Sequence, residues 1–335
     1  LGISWKAFEL NKGGDESMKK IVSLLVSAIL ILSVASVALA EDMTVRVASL
    51  KGPTSMGLVK LMQDDAEVGA YKFTVSGTAD EIVPMIAKGE LDIALIPCNL
   101  ASVLWNKLNG GVQVAAVNTL GVLYVLEAGD TVHSVADLKG KTLFSTGKGT
   151  TPEYALNHVL KLNGIDPAND LTVEYKSEST EVAAALASGT TTLAMLPQPY
   201  VTAVMAQNPK LRVAISLSDE WAKADSGSSM VTGVVAVRKA FADEHPELLK
   251  AFMEGYEASQ AYVNANPDEA GQWIADLGIV AKAGLAARAI PACNIVYITG
   301  DEMKAAVSGY LKALFEADPA SVGGALPDDA FYLAA

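Results

Sequence analysis

The sequence predicts an α/β protein of two similar lobes, each a parallel-rich sheet flanked by helices. Two observations carry that expectation. Residues 81–106 (EIVPMIAKGELDIALIPCNLASVLWN) are echoed by residues 181–206 (EVAAALASGTTTLAMLPQPYVTAVMA), with Glu81, Ala87, Gly89, Ala94 and Pro97 set against Glu181, Ala187, Gly189, Ala194 and Pro197. The echo extends backwards. VRVASLKGPTSMGLVKLM from Val45 resembles KTLFSTGKGTTPEYALNHVL from Lys141, so Lys51-Gly52 corresponds to Lys148-Gly149.

Each copy reads the same way. A strand at 44–49 or 142–145 runs through Lys-Gly into a helix, predicted over 55–63 in the first copy and from about Thr151 in the second. A strand follows at 73–76 or 171–176. Next comes a short apolar helix ending at Gly89 or Gly189, where glycine suits a left-handed helix end. An apolar strand follows at 92–96 or 192–196. It stops at a proline that cannot donate to the ladder, and a new helix begins. Strands at 112–117 and 211–216 close the two units. Between them lie a strand at 122–126 and a short helical turn at 134–142. Asn163-Gly164-Ile165-Asp166-Pro167 ends the helix begun at Thr151. After a Gly/Ser loop at 226–229 and a β-branched strand at 231–238, the repetition stops. Helices are predicted from Pro246 to about Asn264, broken by Asn266-Pro267, then over 268–277, 280–287 and 302–315. The tail at 323–331 reads as loop.

At 335 residues, about half of them apolar, the chain can bury one large core or two medium ones. Its formal charge is −13 with 25 Lys and Arg, which leaves no basic stripe and argues against a nucleic-acid partner. The N-terminus is read as processing signal, not fold. Met18-Lys19-Lys20 is a positive start, 21–37 an apolar run, and Ala38-Leu39-Ala40 a small-x-small cleavage site, giving a signal peptide over 18–40. An uncleaved membrane anchor is the competing reading, since the run approaches spanning length. No cysteine follows it, so a lipoprotein signal is not expected. Residues 1–17 are read as a non-native leader, because Lys12-Gly13-Gly14-Asp15 fits a translated ribosome-binding sequence ahead of a start at Met18. Cys98 and Cys293 lack metal-ligand spacing, so no metal or cofactor is expected. Two free thiols or a disulfide both stay open. His133, His158 and His245 pair with no nucleophile motif, and no catalytic residue is predicted.

The signal peptide, the duplication, the Gly89-x-x-Asp92-x-Ala94 strand and Asp137-Leu138-Lys139-Gly140-Lys141 entering the second lobe carry a family resemblance. The chain resembles the solute-binding proteins of ABC importers, in the nitrate/sulfonate/taurine and thiamine-pyrimidine-precursor group. The resemblance spans about 43–331. It implies the type II periplasmic-binding fold, with two lobes joined by two crossover strands and a ligand held between them. Lobe one is then 43–120 with 235–335, and lobe two 121–234. The crossovers fall near 118–124 and 230–237. The implied function is an exported, non-enzymatic binder of a small polar or anionic organic ligand. It would act in the periplasm or cell envelope with ABC permease subunits as partner. The alternatives are an enzyme on the same fold, of thiamine-precursor or menaquinone-pathway type, and a TRAP-type or sensory binder.

In open α/β sheets, ligands bind beyond the carboxyl ends of the strands. The loops there supply the candidate ligand residues. Lys51, Pro53, Thr54 and Ser55 in one lobe match Lys148, Gly149, Thr150 and Thr151 in the other, each set leading into a helix N-terminus suited to an anion. Plain capping with solvated lysines is the alternative. Cys98 and Asn99 pair with Gln198 after the central strands. Gly77 and Thr78 end a middle strand, and Asn118 and Thr119 sit at the first crossover. Tyr154 offers a ring, as do Trp105, Tyr124 and Tyr200. No arginine lies in these loops, so a carboxylate clamp is not expected. An anion held by N–H and hydroxyl donors is the first expectation, and an uncharged heteroaromatic on Tyr154 or Trp105 the second.

Overall fold

Strands form where β-branched and apolar residues run together, and they assemble into two sheets of matching order. The computed structural model describes residues 43–224 and 228–334. The leader, the signal peptide and part of the 226–229 loop fall outside them. Val45–Ala335 forms one compact unit. The six-stranded sheet runs in the order β11-β4-β10-β3-β1-β2 and is built from β1 (Val45–Leu50), β2 (Tyr71–Ser76), β3 (Ile93–Pro97), β4 (Val112–Leu120), β10 (Val231–Arg238) and β11 (Ile295–Ile298). The five-stranded sheet has β5 (Leu123–Ala128), β6 (Thr142–Ser145), β7 (Thr172–Tyr175), β8 (Leu193–Pro197) and β9 (Leu211–Ser216), in the order β7-β6-β8-β5-β9.

The internal repeat thus becomes a repeat of topology. β2-β1-β3-β10-β4 and β7-β6-β8-β5-β9 share one arrangement, in which the strand between the third and fifth runs against its neighbours. Each reversed strand follows a crossing from the other sheet: β4 leads to β5, and β9 leads to β10. Gly121, between β4 and β5, is a required glycine. A Cβ there would lie 1.9 Å from Ser218 Oγ and 2.7 Å from Met230 Cε, so the two crossings touch at this point.

Helices cover the sheets: α1 (Pro53–Met56), α2 (Val59–Asp65), α3 (Ala79–Ala87), α4 (Cys98–Lys107), α5 (Thr151–Leu162), α6 (Ser179–Ser188), α7 (Tyr200–Gln207), α8 (Leu217–Ala224), α9 (Lys239–Glu244), α10 (Pro246–Ala265), α11 (Pro267–Asp276), α12 (Ala283–Ala289) and α13 (Gly300–Ala317). Among the described residues, none is long and apolar enough to cross a membrane. Gly89 and Gly189 are left-handed, at φ 71° and 77°, as the repeat predicts.

Four local expectations differ from the structure. The helix predicted over 55–63 is interrupted at Gly57-Leu58. Gly57 is pressed against Tyr256, and its carbonyl accepts Ser259 Oγ at 2.7 Å. The helices α8 and α9 and the strand β11 were not predicted; α8 has a polar sequence and is held by the fully buried Trp221. The helix placed at 280–287 begins only at Ala283. The tail is stitched into the fold: Leu333 N donates to Val114 O at 2.8 Å, and Phe331 is buried edge-on against Trp105, their centroids 5.5 Å apart.

The sequence motifs prove architectural. Asp92 lies at the base of the six-stranded sheet with its carboxylate shielded from solvent. It accepts from Arg46 N, Nε and Nη2 at 3.0, 2.8 and 2.6 Å, and from Arg238 Nη2 at 3.0 Å. Burial opposes its ionisation, yet the two guanidinium groups and the Arg46 amide outweigh that and lower its pKa. The second copy has Thr192 at this place and solves the problem differently. Glu127 accepts Arg212 Nη2 at 2.6 Å together with the amides of Thr131 and Val132. In the Asp137-to-Lys141 motif, Asp137 closes a capping box with Ser134, Leu138 is buried, Lys139 pairs with Asp170 at 3.0 Å, and Gly140 turns left-handed into β6.

Cys98 and Cys293 are free and buried, and burial pushes both thiols up. Neither is expected to react with a thiol reagent in the folded protein, and both should react on unfolding without reductant. A protein silent after unfolding would carry the disulfide instead.

Candidate functional site

The carboxyl ends of β1, β3 and β4 meet on one edge of the six-stranded sheet, where the reversed β10 begins. Gly233 of β10 pairs with Pro97 at the end of β3 and with Thr119 near the end of β4. A Cβ on Gly233 would stand 2.4 Å from Asn118 Oδ1, 2.9 Å from Thr54 Cγ2 and 3.3 Å from Thr119 Cβ. Three expected site residues, Thr54, Asn118 and Thr119, therefore converge on one glycine. Asn118 and Thr119 are fully buried, and Asn118 Nδ2, Asn118 Oδ1 and Thr119 Oγ1 have no hydrogen-bond partner among the described residues. The same holds for Thr232 Oγ1 on β10. Each unmet buried group costs about 1–3 kcal/mol, so this is an expensive place to leave polar atoms. The strand of Thr232 and Gly233 reads in the sequence as a crossover, with neither residue expected at the site. A Thr-Gly pair opening a crossover strand was the available signal.

A second group joins the two sheets. Thr151 Oγ1, at the start of α5, donates to Asn99 Oδ1 at 3.1 Å, and Asn99 Nδ2 donates to Ser321 O at 3.1 Å. Both partners are buried, so Asn99 spends its carboxamide on a tie between α4, α5 and the chain end. Nearby, Trp221 of α8 packs between His158 of α5 and Tyr310 of α13, with centroids 4.2 and 5.3 Å away. The helix α12 also lies against α7.

The loop hydroxyls are arranged otherwise than expected. Thr54 Oγ1 donates to Leu50 O at 2.7 Å, Ser55 Oγ meets Leu50 O and Ser49 Oγ, and Thr150 Oγ1 donates to Gly147 O at 2.8 Å. Neither helix start is capped by its own side chain, since Gly52 and Thr150 occupy the cap positions without such a bond. The hydroxyls turn back because tight glycine turns bring loop carbonyls within their reach. Gly149 N already donates to Glu153 Oε2 at 2.6 Å. Lys51, Lys148 and Gly149 are exposed, as are Gly77 and Thr78 beyond the edge strand β2. Pro53 opens α1, and Cys98 is fully buried. Gln198 Oε1 accepts from Thr202 N and Oγ1 at 3.2 and 2.9 Å. Tyr154 is half-buried, and burial first, then the nearby Asp318 and Glu153, raises its pKa. A separate groove of about 490 Å³, lined by Thr131, Lys141, Glu174 and Thr191 among others, lies at the opposite, amino-terminal end of the five-stranded sheet. No group of acidic, histidine or cysteine side chains among the described residues is placed to hold a metal.

The family described as NMT1/THI5 like matches residues 75–270. The chain belongs to this family. No curated protein matches the NMT1/THI5-like chain closely enough to add a relative. Solved structures share its fold, that of the type II periplasmic binding proteins. An ABC transporter protein from Parabacteroides distasonis is 23% identical, with a TM-score of 0.73 over 87% of this chain and 98% of that one. The periplasmic aliphatic sulphonate-binding protein SsuA of Escherichia coli is 16% identical, with a TM-score of 0.67 over 83% and 93% of the two chains. The alkanesulfonate-binding SsuA of Xanthomonas axonopodis pv. citri is 15% identical, at 0.65 over 85% and 94%.

Proposed function

We propose that this NMT1/THI5-like protein is an exported solute-binding protein. It captures a small polar or anionic organic ligand between two lobes and delivers it to the permease of an ABC importer. The lobes in this proposal are 43–120 with 235–335, and 121–234, and the protein works in the periplasm or cell envelope without a lipid anchor. The observation that carries the reading is the set of unmet polar atoms on Asn118 and Thr119 at the carboxyl edge of the strands. That edge is where a ligand of such a fold is held. The names of the similar structures, two of them sulfonate-binding proteins, support the same role. Closure follows if ligand contacts are divided between lobes, because binding then favours the closed population.

The test is native mass spectrometry of freshly purified protein. A small molecule bound one to one, released unchanged on denaturation, is the expected result. A released molecule converted into a product would point to the enzymatic members of the family. Protein that is always empty, and that no solute mixture stabilises against heat, would contradict the proposal.

A further inference from the structure

Resting on the proposed closure of two lobes, we infer that Asn294 is a positioning residue that pins the first crossing to the six-stranded side, so that the lobes turn about the backbone of Val122. The crossing runs through Leu120, Gly121 and Val122 from β4 into β5. Asn294 stands just before β11, far from it in sequence, yet holds it twice. Its carbonyl accepts Leu120 N at 3.1 Å, and its Nδ2 donates to Gly121 O at 2.5 Å. One residue on, the crossing changes hands. Val122 O accepts Gln198 N at 3.0 Å, just beyond β8 of the five-stranded sheet, and Leu123 pairs with Pro197. Two consecutive carbonyls are thus tied to different sheets. Because the peptide unit is planar, only the φ and ψ of Val122 lie between them. Residues at the ends of elements that absorb such a rotation are what a hinge is made of.

The residue type at 294 is specified twice over. Its φ of 45° is left-handed, a region that glycine visits freely and asparagine and aspartate visit more readily than other residues. Glycine there would have no side chain to donate, and an aspartate carboxylate would bring only acceptors to the Gly121 carbonyl. Asparagine combines the conformation with the donor. The anchor is firm on both sides. Cys293 is fully buried with its Sγ 3.9 Å from Met56 Sδ, and Ile295 is buried and pairs with Thr119. Asn118 and Thr119 therefore stay with the six-stranded side of the pivot. Asn109, just after α4, is also left-handed, at φ 49°, but is exposed. It serves as the control.

Hydrogen exchange read by mass spectrometry and a distance between the lobes test this, on protein stripped of small molecules by unfolding and refolding. Nitroxides on Lys51→Cys and Lys148→Cys report the distance; both positions are exposed, after β1 and β6, and the native cysteines are buried. In Asn294→Gly the amides of 118–124 should exchange about 5-fold faster or more, with those of 142–175 unchanged. The distance distribution should broaden. Asn294→Asp, which keeps the conformation and loses the donor, should match or exceed both effects, and Asn109→Gly should show neither. Equal acceleration over 118–124 and 142–175 would make Asn294 a residue of global stability and overturn the inference. Wild-type protection in Asn294→Asp would overturn it as well, and so would faster local exchange with an unchanged distance distribution. If Asn294→Gly does not fold, Asn294→Asp carries both arms. Neither arm uses a solute, so an inference lost here leaves the proposed function to its own test by native mass spectrometry.

Discussion

Arg46→Met is expected to destabilise the protein by about 3 kcal/mol, measured by urea unfolding at pH 7. It leaves the buried Asp92 carboxylate with Arg238 and one backbone amide where it had two guanidinium groups. Asp92→Asn should cost less, because both arginines are a quarter to a third exposed and can turn to water. The pH dependence has a definite sign. The folded-state pKa of Asp92 is lowered, so its contribution is full above the unfolded value and is withdrawn as pH falls through the folded one. The gap between wild type and Arg46→Met should therefore be widest above about pH 5 and shrink below it. Equal stabilities at pH 7 would show that the cluster is a surface ion pair of little weight.

Trp221→Ala is expected to cost about 3–5 kcal/mol. Trp221 is fully buried, its rings packed on His158 and Tyr310 and its Nε1 donating to Ser228 Oγ at 2.7 Å. It lies on α8, in the segment that carries the chain from β9 back to β10, and its partner Tyr310 lies on α13 near the chain end. Trp221→Phe should retain most of the packing and lose under half as much stability. Denaturant midpoints of the two variants check this, and a tolerated alanine would show that α13 does not need the contact.

How far the sequence could be read follows from what kind of information each feature needs. The repeated strand-Pro-helix unit was legible because apolar runs and their terminators are local properties; β3 and β8 end at Pro97 and Pro197 as expected. Asn118 and Thr119 were singled out by topology, as the end of a crossover strand, and the structure brings both against Gly233. Thr232 and Gly233 escaped because their strand reads as ordinary β-branched sequence. Its meaning lies in what stands opposite: Gly233 matters through Asn118, 115 positions away. The hydroxyls of Thr54, Ser55 and Thr150 were expected to face a ligand, yet they serve carbonyls of their own loops. Residue type shows that a hydroxyl can donate, but only the turn geometry shows to what. Asp92 illustrates the reverse case, a motif residue whose carboxylate is taken up by Arg46 and Arg238 at the base of the sheet.

Closure of two lobes on a solute is the centre of this account, and small-angle scattering tests it most directly. The stripped protein is measured first, then the same sample saturated with a solute identified by native mass spectrometry. The account predicts a smaller radius of gyration with solute bound, and a smaller change in Thr151→Val, which removes the hydroxyl that reaches Asn99 across the two sheets. Superimposable profiles with and without saturating solute would contradict it.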